Sequence, residues 1–305
     1  MNIKSSCCRS WVTNCNWRHM ASPITIKQAL DIAQQQLSHL DDNTHLEAEI
    51  LLSHVLECSR TRLHTWPEQV LTKPQADNYQ ALLARRLEGE PIAYITGQRG
   101  FWDMELGVTP DTLIPRPETE RLVELALERI PADAHWQIAD LGTGSGAIAL
   151  AIARERPRCH VLATDLSPAA LAVARDNAKR LGVSNIRFQN SHWFKHLDAG
   201  RFEMIVSNPP YIHPQDPHLS QGDLRFEPSS ALRSGADGLE DIRHIARAAR
   251  AYLSPPGWLL LEHGYDQGPT ITTLLSDLGY EEISIYQDLS GNDRVSAGKW
   301  AGTSK

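Results

Sequence analysis

Between Ile24 and about Gly89, apolar residues recur at spacings of three and four in TIKQALDIAQQQL, LEAEILLSHVL and ADNYQALLARRLEG, with no strand-type alternation. That pattern predicts a small helical bundle, placed at residues 20–90. PIAYITGQRGFWDMELGVTPDTLIP, from Pro91 to Pro115, is different: aromatic and β-branched residues separated by glycines predict a hairpin linker over 91–116. RPETERLVELALERI then reads as a helix opened by Pro117, with Glu118 and Glu120 in the first turn, where the helix dipole favours acids.

From Gln137 onward, strand and helix patterns alternate. QIADL, HVLATD, IRFQN, EMIVSN, WLLLEHG, EISIYQD and RVSAGKW are the strand candidates. AIALAIARE, PAALAVARDNAKRLG, IRHIARAARAYL and PTITTLLSDLG are the helices between them. The rhythm predicts an α/β fold over 117–305: a doubly wound, seven-stranded, mostly parallel sheet with ligands beyond the carboxyl ends of its strands. The last two strands have no helix between them and should form an antiparallel hairpin at one edge.

The chain has 305 residues, 41% of them hydrophobic, which is enough for a large domain and a smaller one. No apolar run approaches the ~18 residues that a membrane span needs, and no membrane partner is expected. A net charge of −7 argues against a partner held by phosphate neutralisation, so no nucleic acid is expected either. Residues 1–19, MNIKSSCCRSWVTNCNWRH, hold three of the five cysteines and lack helical periodicity and a signal-peptide core. They are expected to be a disordered extension or an upstream start before Met20. Cys58 and Cys159 then suggest two buried free thiols in a reducing cytoplasm, with no disulfide framework and no metal.

DLGTGSGAIALAIA places Gly142, Gly144 and Gly146 between a strand and a helix, where a tight turn needs positive φ and a ligand can approach the backbone closely. The loose pattern G-x-G-x-x-G/A through Gly142, Gly144 and Ala147 keeps a nicotinamide or flavin enzyme open. Asp165 ends the next strand, where a carboxylate can accept both hydroxyls of an adenosine ribose; alternatively Asp165 or Ser167 caps the following helix. An adenosine-bearing cofactor follows, without saying which one.

IVSNPPYIHP separates the possibilities. Pro209 and Pro210 lack N–H groups, and the residue before each proline is held extended. The result is a stiff loop rich in acceptors. The Asn208 side-chain oxygen and the Pro209 carbonyl could accept the two hydrogens of a planar –NH2 while Tyr211 packs along its plane. Such a loop serves methyl transfer to nitrogen; a dehydrogenase has no use for it. Asn208 cannot act as a general base, so the proton is expected to leave to water.

With these motifs in register, the chain resembles a class I S-adenosylmethionine-dependent methyltransferase, and more closely the PrmC/HemK family of protein-glutamine N5-methyltransferases, which modify the GGQ glutamine of class-1 peptide chain release factors. The likeness spans EAEILL, GEPIAYITG, LIPRPETE, the Gly turn, NPPYI, DPHL, RFEP, LLLEHG and GNDRV. It implies that Gly142, Thr143, Gly144, Ser145, Gly146, Asp165, Trp193 and Asn208 bind S-adenosylmethionine, with Trp193 against the adenine, although Trp193 also fits an ordinary core. It implies that Asn208, Pro209, Pro210 and Tyr211 grip the glutamine amide, and that the helical domain helps dock a release factor. The protein is expected to act as a monomer in the cytoplasm. A ribosomal-protein glutamine methyltransferase, an adenine-N6 nucleic-acid methyltransferase and a non-catalytic adapter are the competing readings. Arg116 could reach a carboxylate or stay exposed, Arg225, Phe226 and Glu227 could shape a cleft or pack a loop, and Glu262 with His263 reads as a satisfied structural pair.

Overall fold

The computed structural model describes residues 23–38, 40, 43–195, 197 and 201–302; the expected extension at 1–19 lies outside them. The chain divides into two compact units between Thr96 and Gly97.

The first unit is helical: α1 (Ile26–Leu37), α2 (Thr44–Leu56), α3 (Arg60–Thr65), α4 (Lys73–Leu87) and α5 (Ile92–Thr96). Both α1 and α4 begin with a Thr-x-x-Gln capping box, Thr25 with Gln28 and Thr72 with Gln75, which satisfies amides that a helix start leaves free. Ile26, Ala29, Ala33 and Leu37 form the buried stripe of α1. They join Leu51, Leu52, Tyr79 and Leu83 in one core. The PIAYIT stretch, assigned to the hairpin linker on composition, is helical instead: the Pro91 carbonyl accepts from the Tyr94 and Ile95 amides, both at 3.0 Å. Cys58 is half-buried, in contrast to the buried thiol expected, whereas Cys159 is buried.

The second unit opens with the hairpin β1 (Gln98–Phe101) and β2 (Met104–Gly107), then a 3-10 turn at Pro117–Thr119 that runs into α6 (Glu120–Arg129). The alternation follows as β3 (Gln137–Leu141), α7 (Ala147–Glu155), β4 (His160–Asp165), α8 (Pro168–Leu181), β5 (Ile186–Asn190), β6 (Phe202–Ser207), α9 (Glu240–Tyr252), β7 (Leu253–Glu262), α10 (Gly268–Asp277), β8 (Glu281–Gln287) and β9 (Asp293–Trp300). Seven strands form one sheet in the order β5-β4-β3-β6-β7-β9-β8. All pairs are parallel except β7 with β9 and β8 with β9, the antiparallel edge that the missing helix foretold.

Alternate residues of each central strand feed opposite cores. Met204, Val206 and Leu260 join Leu122, Leu125, Leu150 and Ile152 of α6 and α7. Ile205, Leu259 and Leu261 join Ile242, Ile245, Ile271 and Leu275 of α9 and α10. The order reverses at β3, which lies between β4 and β6, so a crevice opens at the carboxyl ends of β3 and β6.

Asn177 of α8 ties this crevice to the hairpin. Its side chain is 2% exposed; Oδ1 accepts from the Gly107 amide at 2.7 Å, and Nδ2 donates to the carbonyls of Gly107 and Ser145, each at 2.9 Å. Asn177→Ala takes this partner from the buried Ser145 carbonyl and from the half-buried Gly107 amide and carbonyl and is expected to cost roughly 2–4 kcal/mol, at about 1–3 for each group that water cannot reach. Urea unfolding checks this; a variant as stable as the parent would show that the groups find other partners.

Candidate functional site

The glycine turn is built by backbone demands. Gly142, Gly144 and Gly146 have φ of 76°, 55° and 89°, a region where a side chain is strained. The amides of Gly142 and Thr143 both donate to the Thr164 carbonyl, at 2.9 and 2.8 Å, pinning the turn to β4. At Gly146 an added Cβ would stand 3.0 Å from Leu150 Cδ1 and 3.3 Å from Ala174 Cβ, so the residue also lets α7 and α8 approach closely. Beneath the turn lies Asp140, fully buried, whose Oδ2 accepts from the Thr143 hydroxyl at 2.7 Å. Burial pushes its carboxyl up to about 7, and Asp165 adds to the rise, against the Thr143 hydroxyl and the Ala149 amide.

Asp165 is held from both sides: Oδ2 accepts from the Gly144 amide at 2.9 Å and Oδ1 from the Ser167 amide at 2.8 Å. Capping of α8 falls to Ser167, whose hydroxyl accepts from the Ala170 amide at 3.2 Å. Burial raises the Asp165 pKa, and the amides of Ser167, Gly144 and Leu166 oppose that rise. Trp193 takes φ 52°, rare for a non-glycine. Its indole packs on Gly142, where a Cβ would be 3.3 Å from Cζ3, and its Nε1 donates to Asp241 Oδ1 at 3.0 Å. At 9% exposure it belongs to the core and to the crevice wall at once.

Gly142, Gly144, Asp165, Trp193, Asn208 and Pro210 line one cavity of about 220 Å³, together with Leu166, which is 60% exposed. A carboxylate, apolar side chains and open space over the Gly144 Cα, where a Cβ would meet nothing within 4 Å, have the chemistry to fit an adenosine-bearing group. Thr143, Ser145 and Gly146 belong to the same turn but are not among the residues that line this cavity, nor are Pro209 and Tyr211. Pro209 is buried, and Tyr211 turns its hydroxyl inward.

That inward side carries groups that motif reading passes over. The Asn208 Nδ2 donates to the hydroxyl of Thr119, a buried residue of the Pro117–Thr119 turn, at 3.3 Å. The Tyr211 hydroxyl donates to Glu262 Oε1, also at 3.3 Å. Glu262 and His263 are not a pair. His263 is satisfied by Ser296 Oγ at 2.9 Å and the Gly264 carbonyl at 2.8 Å, whereas Glu262 Oε2 is buried with no hydrogen-bond partner. Successive residues leaving a strand face opposite ways, which separates the two. Burial pushes the Glu262 carboxyl up to about 7; the Thr119 hydroxyl, Arg294 and Tyr211 pull it down, and Glu118 pushes it further up. Burial, with the charge of Glu262 beside it, also raises the Tyr211 phenol.

Arg116 reaches a protein carboxylate: it pairs with buried Glu227, whose Oε2 also accepts from the Ile114 amide at 3.1 Å. The LIPRP and RFEP segments are thereby clasped together, and Pro228 and Ala231 reach the cavity wall. Arg225 lies over the Phe226 ring at 4.9 Å. His192 stands four residues before His196, an HxxxH spacing that metal sites use, contrary to the expectation that the histidines show none; the His192 ring stacks on His244 at 6.4 Å, and His196 lies outside the described residues.

Two family models match the chain: the PrmC N-terminal domain over residues 28–97 and the methyltransferase small domain over residues 120–225. The release factor glutamine methyltransferase of Vibrio cholerae is 52% identical over 279 residues, covering 91% of this chain and 97% of that protein. That of Xylella fastidiosa strain Temecula1 is 49% identical over 283 residues, covering 93% and 100%. Among solved structures, a methyltransferase from Pyrococcus furiosus superposes with a TM-score of 0.51 at 22% identity, covering 72% of this chain and 98% of that one, a likeness of fold.

Glu262 makes a pH dependence that can be measured. Its folded pKa, about 7, lies above the ordinary 4.5, so the folded state holds the proton more tightly. The associated stability is complete below the lower value and is lost as pH rises through the upper one. Glu262→Gln, which cannot ionise, should lessen the fall in unfolding free energy between about pH 5 and pH 8, with Asp140 supplying a remaining fall of the same sign. Denaturant titrations across that range check it, and a fall equal to the parent's would refute it.

Proposed function

The chain belongs to the release factor glutamine methyltransferase family, and we propose that it transfers a methyl group from S-adenosylmethionine to the side-chain amide nitrogen of the glutamine in the GGQ motif of class-1 peptide chain release factors. The observation that carries the reading is that Asn208 and Pro210 line the same cavity as Gly142, Gly144 and Asp165, so an acceptor loop for –NH2 and a cradle for an adenosine share one space.

When bound, S-adenosylmethionine supplies an electrophilic sulfonium methyl. The chain's part is placement. Asp165, fixed by two backbone amides, keeps lone pairs on both oxygens for the ribose hydroxyls, and Gly142 and Gly144 allow close backbone approach. Trp193 and Leu166 offer apolar surface to the adenine. The Asn208 oxygen and the Pro209 carbonyl accept the two hydrogens of the glutamine –NH2, drawing its nitrogen out of amide conjugation. Asn208 and Pro209 would thereby aim the nitrogen lone pair at the sulfonium methyl, so that the new nitrogen–carbon bond would replace the sulfur–carbon bond, and the proton of the methylated nitrogen would pass to water. Positioning of this kind can supply up to roughly 7–11 kcal/mol.

Purified protein should transfer a labelled methyl to a release factor and leave unlabelled the same factor with its GGQ glutamine changed to Ala. Equal labelling of both, or preference for a ribosomal protein or DNA in the same panel, would overturn the assignment. Two variants separate the halves of the cavity. Asn208→Ala should keep the dissociation constant for S-adenosylmethionine within about threefold and lose at least about 100-fold in kcat, the usual scale for a preorganised polar contact. Asp165→Ala should instead weaken cofactor binding at least about tenfold, as loss of a charged hydrogen-bonding partner does. Calorimetry and turnover assays decide, and the reverse pattern would exchange the two roles.

A further inference from the structure

We infer that Asp241 is a positioning residue that fixes the Trp193 indole as a wall of the cofactor cavity, so that affinity for S-adenosylmethionine depends on an acid outside both the Gly turn and the NPPY loop; this rests on the function proposed above.

Trp193 needs holding. Its φ of 52° lies where a residue with a side chain is strained, so the backbone alone does not favour the conformation that brings the ring to the cavity. Two contacts at opposite ends of the indole secure it. The six-membered ring meets Gly142, where a Cβ would stand 3.3 Å from Cζ3 and 3.6 Å from Cη2. At the five-membered ring, Nε1 donates to Asp241 Oδ1 at 3.0 Å. A plate held at one edge can swing about that edge, whereas one held at both ends keeps its plane. The contact with Gly142 is van der Waals and has little direction, so the hydrogen bond sets the angle of the ring.

Asp241 is itself fixed so that one oxygen is left for the indole. Its Oδ2 accepts from the Ser234 hydroxyl at 2.7 Å, and its backbone amide donates to the same Ser234 oxygen at 3.0 Å. Ser234 is 1% exposed, and its amide donates to the carbonyl of Ile212, the residue after Tyr211, at 3.2 Å. Asp241 stands in the first turn of α9, where the helix dipole favours an acid. The indole is thus tethered to α9 and, through Ser234, to the segment that continues from the NPPY loop. Asp241 also lines the cavity, so direct contact with the cofactor is the rival role that a test must separate.

A double-mutant cycle on the full chain separates them, read as the dissociation constant for S-adenosylmethionine. Asp241→Ala should weaken binding about tenfold, the scale of one hydrogen bond to a charged group. Asp241→Asn keeps an acceptor for Nε1 while its NH2 donates to Ser234 Oγ, and should restore most of the loss. Trp193→Phe keeps an apolar ring but has no N–H to hold; in that background Asp241→Ala should weaken binding further by no more than about twofold. Binding like the parent's in Asp241→Ala, no rescue by Asn, or the full loss repeated in the Trp193→Phe background would overturn the inference, the last by showing that Asp241 acts on the cofactor directly. A second readout needs neither substrate nor cofactor. In protein labelled with ¹⁵N-tryptophan, the Trp193 indole N–H, assigned by its loss in Trp193→Phe, should exchange with solvent at least about tenfold faster in Asp241→Ala than in the parent, and within about threefold of the parent in Asp241→Asn. Equal exchange in the parent and Asp241→Ala would overturn the tether. A parent that binds no S-adenosylmethionine would refute the proposed function, and the tether would then stand or fall on the exchange rate.

Discussion

The second unit depends on β3 and β6 lying parallel and adjacent, with Leu141 opposite Ser207. That register sets the first residue after each strand, Gly142 and Asn208, beside the other at the crevice floor. The Ser207 hydroxyl donates to the Leu141 carbonyl at 2.6 Å and fastens the two strand ends where the ladder stops. A slip of one residue would turn Asn208 to the opposite face of the sheet. The buried alternation of Met204, Ile205 and Val206 resists such a slip, because it would move each residue into the wrong core. Hydrophobic patterning thus fixes a polar geometry.

Each lip of the crevice has a buried carboxyl behind it. Asp140 holds the Thr143 hydroxyl under the glycine turn, and Glu262 receives the Tyr211 hydroxyl behind the NPPY loop. Both acids are pushed up to about 7 by burial, a cost that an apolar residue would avoid. Their common feature is that each offers an oxygen to a hydroxyl of the loop in front of it, Thr143 onto Asp140 and Tyr211 onto Glu262, an anchor that apolar packing cannot supply.

The fold was legible because its signals are periodic. Seven strand runs and the missing helix between the last two gave the sheet and its antiparallel edge, and three helical runs gave most of the bundle. The short elements were not legible: IAYIT has too few residues to show a period, and its aromatic and β-branched character resembles a strand until Pro91 offers a carbonyl to two amides. The motif residues were legible for a related reason, since Gly142, Gly144, Asp165 and Asn208 sit at strand ends where sequence order gives spatial order. Residues that support them were hidden. Thr119 lies 89 positions from Asn208 and Glu262 lies 51 from Tyr211, and nothing in the sequence brings them together before the sheet does.

Tyr211 shows what this separation means for reading a motif. As one letter of NPPY it invites a role on the substrate's plane, yet its hydroxyl is spent on Glu262 and its carbonyl accepts from Gln267 Nε2 at 3.0 Å. Gly238 presses against the same carbonyl so closely that a Cβ there would stand 2.5 Å from the oxygen. Held at both its ring end and its backbone, Tyr211 cannot move without moving the loop. The stiffness first visible in two prolines is therefore completed by contacts from the β6–α9 connection, from β7 and from the start of α10. A loop that works by presenting acceptors needs such anchoring, because orientation lost to motion would have to be recovered at every turnover.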